Sequence, residues 1–255
     1  MSTSNSNFQT ITYPPFSAVV ITFNGQRHLA AVLTALQQLT DDIIVVDSFS
    51  TDRSVEICQQ HNVRLFQRTW PGYSEQKNFG VAQARYDWIL SVDDDEVVSP
   101  ELSTSIKTSF DGSYDAYVLC RKPFFCGKPI LHGGWNPDWH IRLYNRKSIH
   151  WDPTDVVHEG LTIRPEHQVG KLKGFLNHYT VETPEEFAEK TDRYAKLFAS
   201  NVRQIGKRPS VLKRYGSPAF RFFREYFLKL GFLDGQYGFF IAKENARYTF
   251  LKYKR

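Results

Sequence analysis

Four carboxylates stand side by side in Asp93-Asp94-Asp95-Glu96, at the end of the apolar run Trp88 to Val92. Adjacent carboxylates repel one another, so a fold keeps them together only with cations, hydrogen bonds or water at hand. A hard divalent cation held by one or two of them and completed by phosphate oxygens is one such solution. A solvated acidic loop ahead of a helix is the plainer alternative, and the position at a strand end in an α/β pattern counts against it. Two other apolar runs also end in polar turns. Thr22-Phe23-Asn24-Gly25 closes the first, and Asp47-Ser48-Phe49-Ser50-Thr51-Asp52 closes the second. Asp47 is an acceptor suited to a ribose hydroxyl or a base imide N–H. Ser50 and Thr51 suit a ligand or the cap of the next helix equally well. Lys77-Asn78 lies ahead of the acidic run; Lys77 suits a diphosphate as a point charge, although alone it reads most simply as a surface lysine.

The elements that must position these turns follow from hydrophobic periodicity. Ser17 to Phe23, Ile43 to Val46, Val63 to Phe66 and Trp88 to Val92 read as strands. Between them, Gln26 to Leu39 places Leu29, Val32, Leu33 and Leu36 at helical spacing, and Asp52 to His61 and Ser74 to Ala84 also read as helices. Ser99-Pro100-Glu101 has the form of an N-cap, a proline at the first helical position and an acidic first turn. Alternation of this kind predicts a mostly parallel sheet covered by helices on both faces, with ligands outside the carboxyl ends of the strands. Beyond Ala116 the pattern changes. Tyr117 to Leu119, Trp139 to Tyr144 and Lys171 to Tyr179 read as strands, and Thr183-Pro184-Glu185-Glu186 as a capping box opening a long helix to about Gln204.

The 255 residues are 41% hydrophobic, with 20 Phe, enough for a sizeable core. The net charge of +5 hides an asymmetry. Residues 1–200 carry 19 Lys and Arg against 24 Asp and Glu, whereas residues 201–255 carry 13 against 3. A basic tail predicts an anionic partner, nucleic acid or an acidic membrane surface, or else a solvated face. From Phe220 to Leu230 a helical wheel puts Phe220, Phe223, Tyr226, Phe227 and Leu230 on one side and Arg221, Arg224, Glu225 and Lys229 on the other. That pattern fits a helix lying in a membrane interface, and equally an aromatic face packed on the rest of the chain. Cys58, Cys120 and Cys126 make neither a disulfide framework nor a zinc pattern, as expected in a reducing compartment. The opening residues lack a signal-peptide plan, and no run reaches the roughly 18 apolar residues of a spanning helix. A cytoplasmic protein, peripheral to the inner face of the membrane, is expected.

The segments "SAVVITFNG", "IIVVDSFSTDRS", "EQKNFGVAQARYDWILSVDDDE", "HGGWNPDWHIRLYNR", "VHEG" and "GFLDGQYGF" together resemble glycosyltransferase family 2. The later ones resemble the branch that glucosylates the inner-core heptose of bacterial lipopolysaccharide. The resemblance implies a GT-A-type nucleotide-sugar-binding domain over 16–204, after a polar lead at 1–15. A donor half would occupy about 16–115, an acceptor half about 116–204, and a basic, aromatic, amphipathic helical extension 205–255. It implies that Asp47 contacts uracil or ribose, that Thr22, Phe23 and Asn24 line the base pocket with Ser50 nearby, and that Lys77 and Asn78 lie near the diphosphate and nucleoside. Asp93 and Asp95 correspond to the two acids of an Asp-x-Asp motif, Asp95 the more direct ligand of Mg²⁺ or Mn²⁺. Asp94, expected with Asp93 among the nucleotide-sugar-binding residues, fills a middle position where the family often has a small residue.

Because the family inverts the anomeric centre, a base is needed opposite the leaving group. Asp138 is the expected base, with a strand-capping turn residue as its ordinary role, and Glu159 is the second choice. His132, Trp135, Trp139 and Arg142 are the expected acceptor residues: aromatic faces suit sugar C–H surfaces, and Arg142 suits an anionic group. Core packing is the ordinary role of each Trp. The reading is metal-assisted transfer of a hexose, glucose from UDP-glucose being the expected donor, to a heptose of the lipopolysaccharide inner core. A lipid-linked phosphate or another surface polysaccharide is the alternative acceptor. A nucleic-acid-binding protein using the basic tail is the reading from another class, disfavoured by the acidic first 200 residues and the lack of a recognisable motif. A catalytically silent scaffold is the third.

Overall fold

The computed structural model describes residues 13–152, 160–204 and 211–253. They fall into two compact units, Met1–Cys120 with Trp139–Leu176, and Arg121–Asp138 with Asn177–Arg255.

The first unit is built on alternating strands and helices. These are β1 (Phe16–Thr22), α1 (Leu29–Gln37), β2 (Asp42–Asp47), α2 (Ser54–Gln60), β3 (Arg64–Gln67), α3 (Tyr73–Ala82), β4 (Trp88–Asp93), β5 (Glu96–Val98) and α4 (Pro100–Ser109). Three later strands follow: β6 (Ala116–Phe125), β8 (Asp138–Asn145) and β9 (Val169–Val181), of which β6 and β9 run on into the second unit. The strand order is β3-β2-β1-β4-β8-β6-β9-β5. β1 pairs in parallel with both β2 and β4, and β2 with β3. The strand order therefore reverses at β1, leaving a crevice outside the carboxyl ends of β1 and β4.

Both faces of this sheet are covered, so β1 and β2 are buried along their whole length and read as unbroken apolar runs rather than alternating ones. Ala18, Val20, Val45, Leu90 and Val92 point to one core with Leu29, Val32, Leu33 and Leu36 of α1 and Leu102 and Ile106 of α4. Val19, Ile21, Ile44, Val46 and Ile89 point to the other, with Tyr144, Trp151 and Phe79. Gly80 lets α3 approach closely, since a Cβ there would lie 2.5 Å from Val19. At the amino ends of the strands, buried Asp42 accepts from Ser17 Oγ at 2.6 Å, Arg64 Nη1 at 2.8 Å and the Arg85 amide at 2.8 Å. Ser99 caps α4 as expected, accepting from the Leu102 amide with Pro100 at the first helical position.

The second unit contains the ends of β6 and β9, the short strand β7 (Lys128–Pro129), and helices α5 (Pro184–Gln204), α6 (Val211–Phe223) and α7 (Gly235–Leu251). Phe125, Ile130, Val181 and Ile241 form its core, with Trp135, Phe187, Tyr237 and Phe240 against them. Half of the box at the start of α5 forms: Thr183 Oγ1 accepts from the Glu186 amide, whereas the Glu186 side chain reaches one residue further back and accepts from the Glu182 amide.

One strand is added to the expected elements, and one expected helix is corrected. The acidic run does not lead straight to a helix: β5 intervenes, and the Ser99 amide just after it bonds the Phe175 carbonyl of β9 at 3.0 Å. The acids therefore occupy a tight turn between two strands. Nor does one helix run from Phe220 to Leu230. α6 ends at Phe223, a π-helical turn covers Arg224–Leu228, Leu230 adopts φ 59°, and a 3-10 turn, Gly231–Asp234, leads into α7. Close contacts at Gly231 and Gly238 make that corner possible, as a Cβ on Gly238 would overlap the Gly231 carbonyl oxygen.

Candidate active site

The β1–β4 register sets Ile21 beside Asp93, so the two strands deliver Thr22 and Asp94 together at the switch point. Thr22 Oγ1 donates to Asp94 Oδ2 at 2.6 Å, and the Phe23 amide approaches the same oxygen at 3.4 Å. Gly25 completes the closure: a Cβ there would lie 2.2 Å from Asp94 Oδ2 and 2.6 Å from Thr22 Oγ1. Burial, with the charges of Asp95 and Asp93 adding to it, pushes the Asp94 carboxyl up to about 7, against the lowering effect of the Thr22 hydroxyl and Phe23 amide. The middle acid is thus a proton-sharing link between two strand ends rather than an exposed charge.

Asp93 is held by two buried cations. Lys77, fully buried on α3, places Nζ 3.1 Å from Asp93 Oδ1 and 4.5 Å above the Trp151 ring. Arg142, only 3% exposed on β8, places Nη2 3.0 Å from Asp93 Oδ2 and 2.5 Å from Oε1 of fully buried Glu96. The antiparallel register Leu90↔Leu143 brings Arg142 next along β8 toward the acidic end of β4. The Asp93 amide in turn donates to Glu96 Oε2 at 3.1 Å. Two cations and two anions are therefore matched beneath the turn, and Asp95 stands half-buried in the turn itself.

Asp47, at the end of β2, is fully buried and crowded with donors. The Ser50 amide reaches its two oxygens at 3.2 and 3.0 Å, the Ser50 hydroxyl donates to it, and Gln67 Nε2 lies at 2.8 Å. Ser50 Oγ accepts from the Asn24 amide at 2.8 Å, and Asn24 Oδ1 accepts from the Thr51 amide at 2.8 Å. Asn24 itself adopts φ 57°, a left-handed conformation that asparagine tolerates. These bonds lace the β1 and β2 turns into one wall, on which Phe23 and Phe49 stand exposed. Ser50 therefore braces Asp47 and Asn24, while Asp52 binds Ser54 ahead of α2.

Among the described residues, no group of three or more His, Cys, Asp and Glu is arranged to hold a metal ion alone. A hard cation expected at Asp95 and Asp93 would therefore need further ligands such as phosphate oxygens and water. Residues 17–165 match the family model described as Glycosyl transferase family 2. The chain belongs to that family. This glycosyltransferase is similar to the lipopolysaccharide core biosynthesis glycosyltransferase LpsC of Rhizobium meliloti (strain 1021), at 29% identity over 93% of this chain and 90% of that one. It is also similar to the uncharacterized glycosyltransferase RT0209 of Rickettsia typhi, at 28% identity over 88% of this chain and 80% of that one. Among solved structures, S. aureus TarS 1–349 in complex with UDP aligns with a TM-score of 0.49 at 18% identity. That alignment covers 72% of this chain and 65%, just under two thirds, of the other.

In this glycosyltransferase the first unit brings Thr22, Asn24, Asp47, Ser50, Lys77, Asp93, Asp94, Asp95 and Arg142 to one end of the sheet. Asn78 faces another way, exchanging bonds with the Trp151 backbone at 2.9 and 3.3 Å, which holds Trp151 under Lys77. Trp139 is partly exposed, with Lys171 Nζ 3.7 Å over its ring. The other expected residues belong to the second unit. Asp138 accepts from Arg121 Nε at 2.8 Å, and His132 Nδ1 lies 3.1 Å from Asp234. Trp135 packs between Phe125 and Phe187. Glu159 lies outside the described residues. Glu96, Gln67 and Trp151 are the site-supporting residues that motif reading passed over. Glu96 was visible as the fourth acid of the run, whereas nothing local marks Gln67 or Trp151.

Proposed function

We propose that this glycosyltransferase moves a hexose, with inversion, from a UDP-sugar to the inner core of lipopolysaccharide at the cytoplasmic face of the membrane. The observation that carries the reading is the carboxylate turn at the switch point, with Asp93 clamped by Lys77 and Arg142. The similarity to LpsC, named for lipopolysaccharide core biosynthesis, supports the acceptor class, and the resemblance of the segments from "HGGWNPDWHIRLYNR" to "GFLDGQYGF" to the inner-core branch favours a heptose acceptor and glucose as the sugar.

The roles follow from the charges. Asp47 and the Thr22-Phe23-Asn24 turn receive the nucleoside. Lys77 and Arg142 hold Asp93 in place, so they act on the donor through Asp93. Asp95, with Asp93, would hold Mg²⁺ or Mn²⁺, which when bound supplies a Lewis acid against the charge of the departing diphosphate. The acceptor hydroxyl gives its proton to a carboxylate, for which Asp138, paired with Arg121, is the first choice and Glu159 the second. A base of this kind must come within hydrogen-bond reach of the hydroxyl.

The test is UDP release from UDP-glucose with a delipidated heptose-containing core saccharide, alongside calorimetry of manganese-dependent UDP binding. Asp95→Ala is expected to lower turnover by roughly a hundredfold or more and to remove the manganese dependence of UDP binding. Undiminished turnover in that variant would refute the reading. Transfer only to a lipid-linked phosphate would move the acceptor assignment and leave the donor chemistry in place.

A further inference from the structure

The corner between α6 and α7 is built rigidly from within the second unit. Glu225, 1% exposed, accepts from Arg221 Nε and Asn245 Nδ2, each at 2.8 Å. Gly134 makes room for that carboxylate, since a Cβ there would lie 2.5 Å from its carboxyl carbon. The Gly133 amide donates to the Lys229 carbonyl at 2.9 Å, and the Leu131 and His132 amides donate to Asp234 at 3.2 and 2.8 Å. The π-helical turn, the left-handed Leu230 and the 3-10 turn are thus pinned by polar bonds.

What this corner presents outward is apolar. Phe223, Phe227, Leu228, Phe232, Leu233 and Phe239 are between 44% and 61% exposed. The rings among them form one continuous group: Phe223 touches Phe227, Phe227 and Phe232 touch Tyr226, and Tyr226 touches Phe239, at ring-centroid distances of 5.1 to 6.3 Å. A contiguous exposed patch of this kind marks an interaction surface. Its charge selects the partner. Residues 211–243 contain two acids, Glu225 and Asp234, both engaged in the internal bonds above. Arg224, Lys229 and Lys243 are exposed at the rim, Lys243 one helical turn from Phe239. A second copy of the chain would bring these cations against one another. An anionic lipid surface takes both the rings and the cations, because aromatic side chains settle at the headgroup boundary and basic ones at the charged surface.

We propose that the α6–α7 corner is a preformed wedge that enters the interface of an anionic bilayer. The wedge deepens the glycolipid-acceptor reading and rests on it for its purpose. The experiment is co-sedimentation of the full chain with vesicles of phosphatidylcholine alone, or of equal parts phosphatidylcholine and phosphatidylglycerol. Transfer to the delipidated core saccharide is measured on the same samples. Wild-type chain is expected to sediment with the anionic vesicles and to be released by salt. Arg224→Gln and Lys229→Gln should each weaken binding about fivefold, and Phe227→Ser with Leu228→Ser by roughly tenfold or more. Transfer to the soluble saccharide should not change. Leu233→Ser, a single change at an exposed position, repeats the test should the double variant fold poorly.

Wild-type chain left in the supernatant at low salt, or variants that bind as wild type does, would overturn the wedge. So would a concentration-dependent dimer abolished by Leu233→Ser, which would assign the patch to a second copy. A wild-type chain that transfers to the soluble saccharide yet binds no vesicles sinks the wedge alone. Intact vesicle binding without transfer to any acceptor sinks the functional reading alone.

Discussion

The four adjacent acids are chemically alike in sequence and differ in place. Asp93 and Glu96 are neutralised by Lys77 and Arg142, Asp94 bridges to Thr22, and Asp95 remains at the turn. Replacing Arg142 with Met would leave buried Glu96 without its guanidinium. Such a loss costs about 3 kcal/mol, to be read by denaturant unfolding, and it should weaken manganese-dependent UDP binding because Asp93 loses its brace. Asp94 gives a pH signature. Its carboxyl titrates at about 7 in the folded chain and near 4 when unfolded, so the native state holds a proton that the unfolded state releases. Its contribution to stability is complete below about pH 4 and is lost as pH rises through about 7. Asp94→Asn should flatten that slope in thermal unfolding followed with a chelator present. An unchanged slope would show that Asp94 is not the group responsible. The acids were legible as a motif, but which of them meets a lysine and which a hydroxyl was not, because those partners come from α3, β8 and β1.

At the scale of elements, the strand–helix alternation was readable because each run carries its own period and caps. Leu29, Val32, Leu33 and Leu36 are buried as their spacing requires, and Ser99 caps α4. β5 escaped notice because three residues are too few to show a period, and its pairing with β9 links residues some eighty positions apart. The helix expected over Phe220 to Leu230 failed for a related reason. The wheel counts side chains and is blind to buried Glu225, whose partners Arg221 and Asn245 hold a π-helical turn in place. Gly25 offers a test of how tightly β1 and β4 are tied. Gly25→Ala puts a methyl group where Asp94 and Thr22 meet, and overpacking of this kind costs about 1–3 kcal/mol. Lower stability in denaturant together with weaker UDP binding by calorimetry is the expected outcome; wild-type values for both would mean that the turn is loose.

For the molecule as a whole, the charge split of the sequence and the division of the structure do not coincide. The second unit takes residues 121–138 from the middle of the chain, and α7 supplies Ile241 to its core beside Phe125 and Val181. The C-terminal residues therefore carry two duties, an inward face that completes a core and an outward corner of exposed rings. Ending the chain after Gln204 should uncover Phe125 and Phe187. The shortened protein is expected to bind a hydrophobic dye and to lose near-ultraviolet circular dichroism from the second unit. A soluble, dye-silent product with native dichroism would show that α6 and α7 are dispensable for folding.

Taken alone, the sequence determined the alternating strand-and-helix plan, the strand ends that bear polar turns, and the family, because these rest on short-range periodicity and contiguous motifs. Tertiary structure decided which acid is neutralised, why Lys77 and Arg142 are buried, and where the aromatic tail turns outward. Those outcomes depend on the burial of charge beside distant partners, and desolvation is a property of the packed fold that no local run of residues carries.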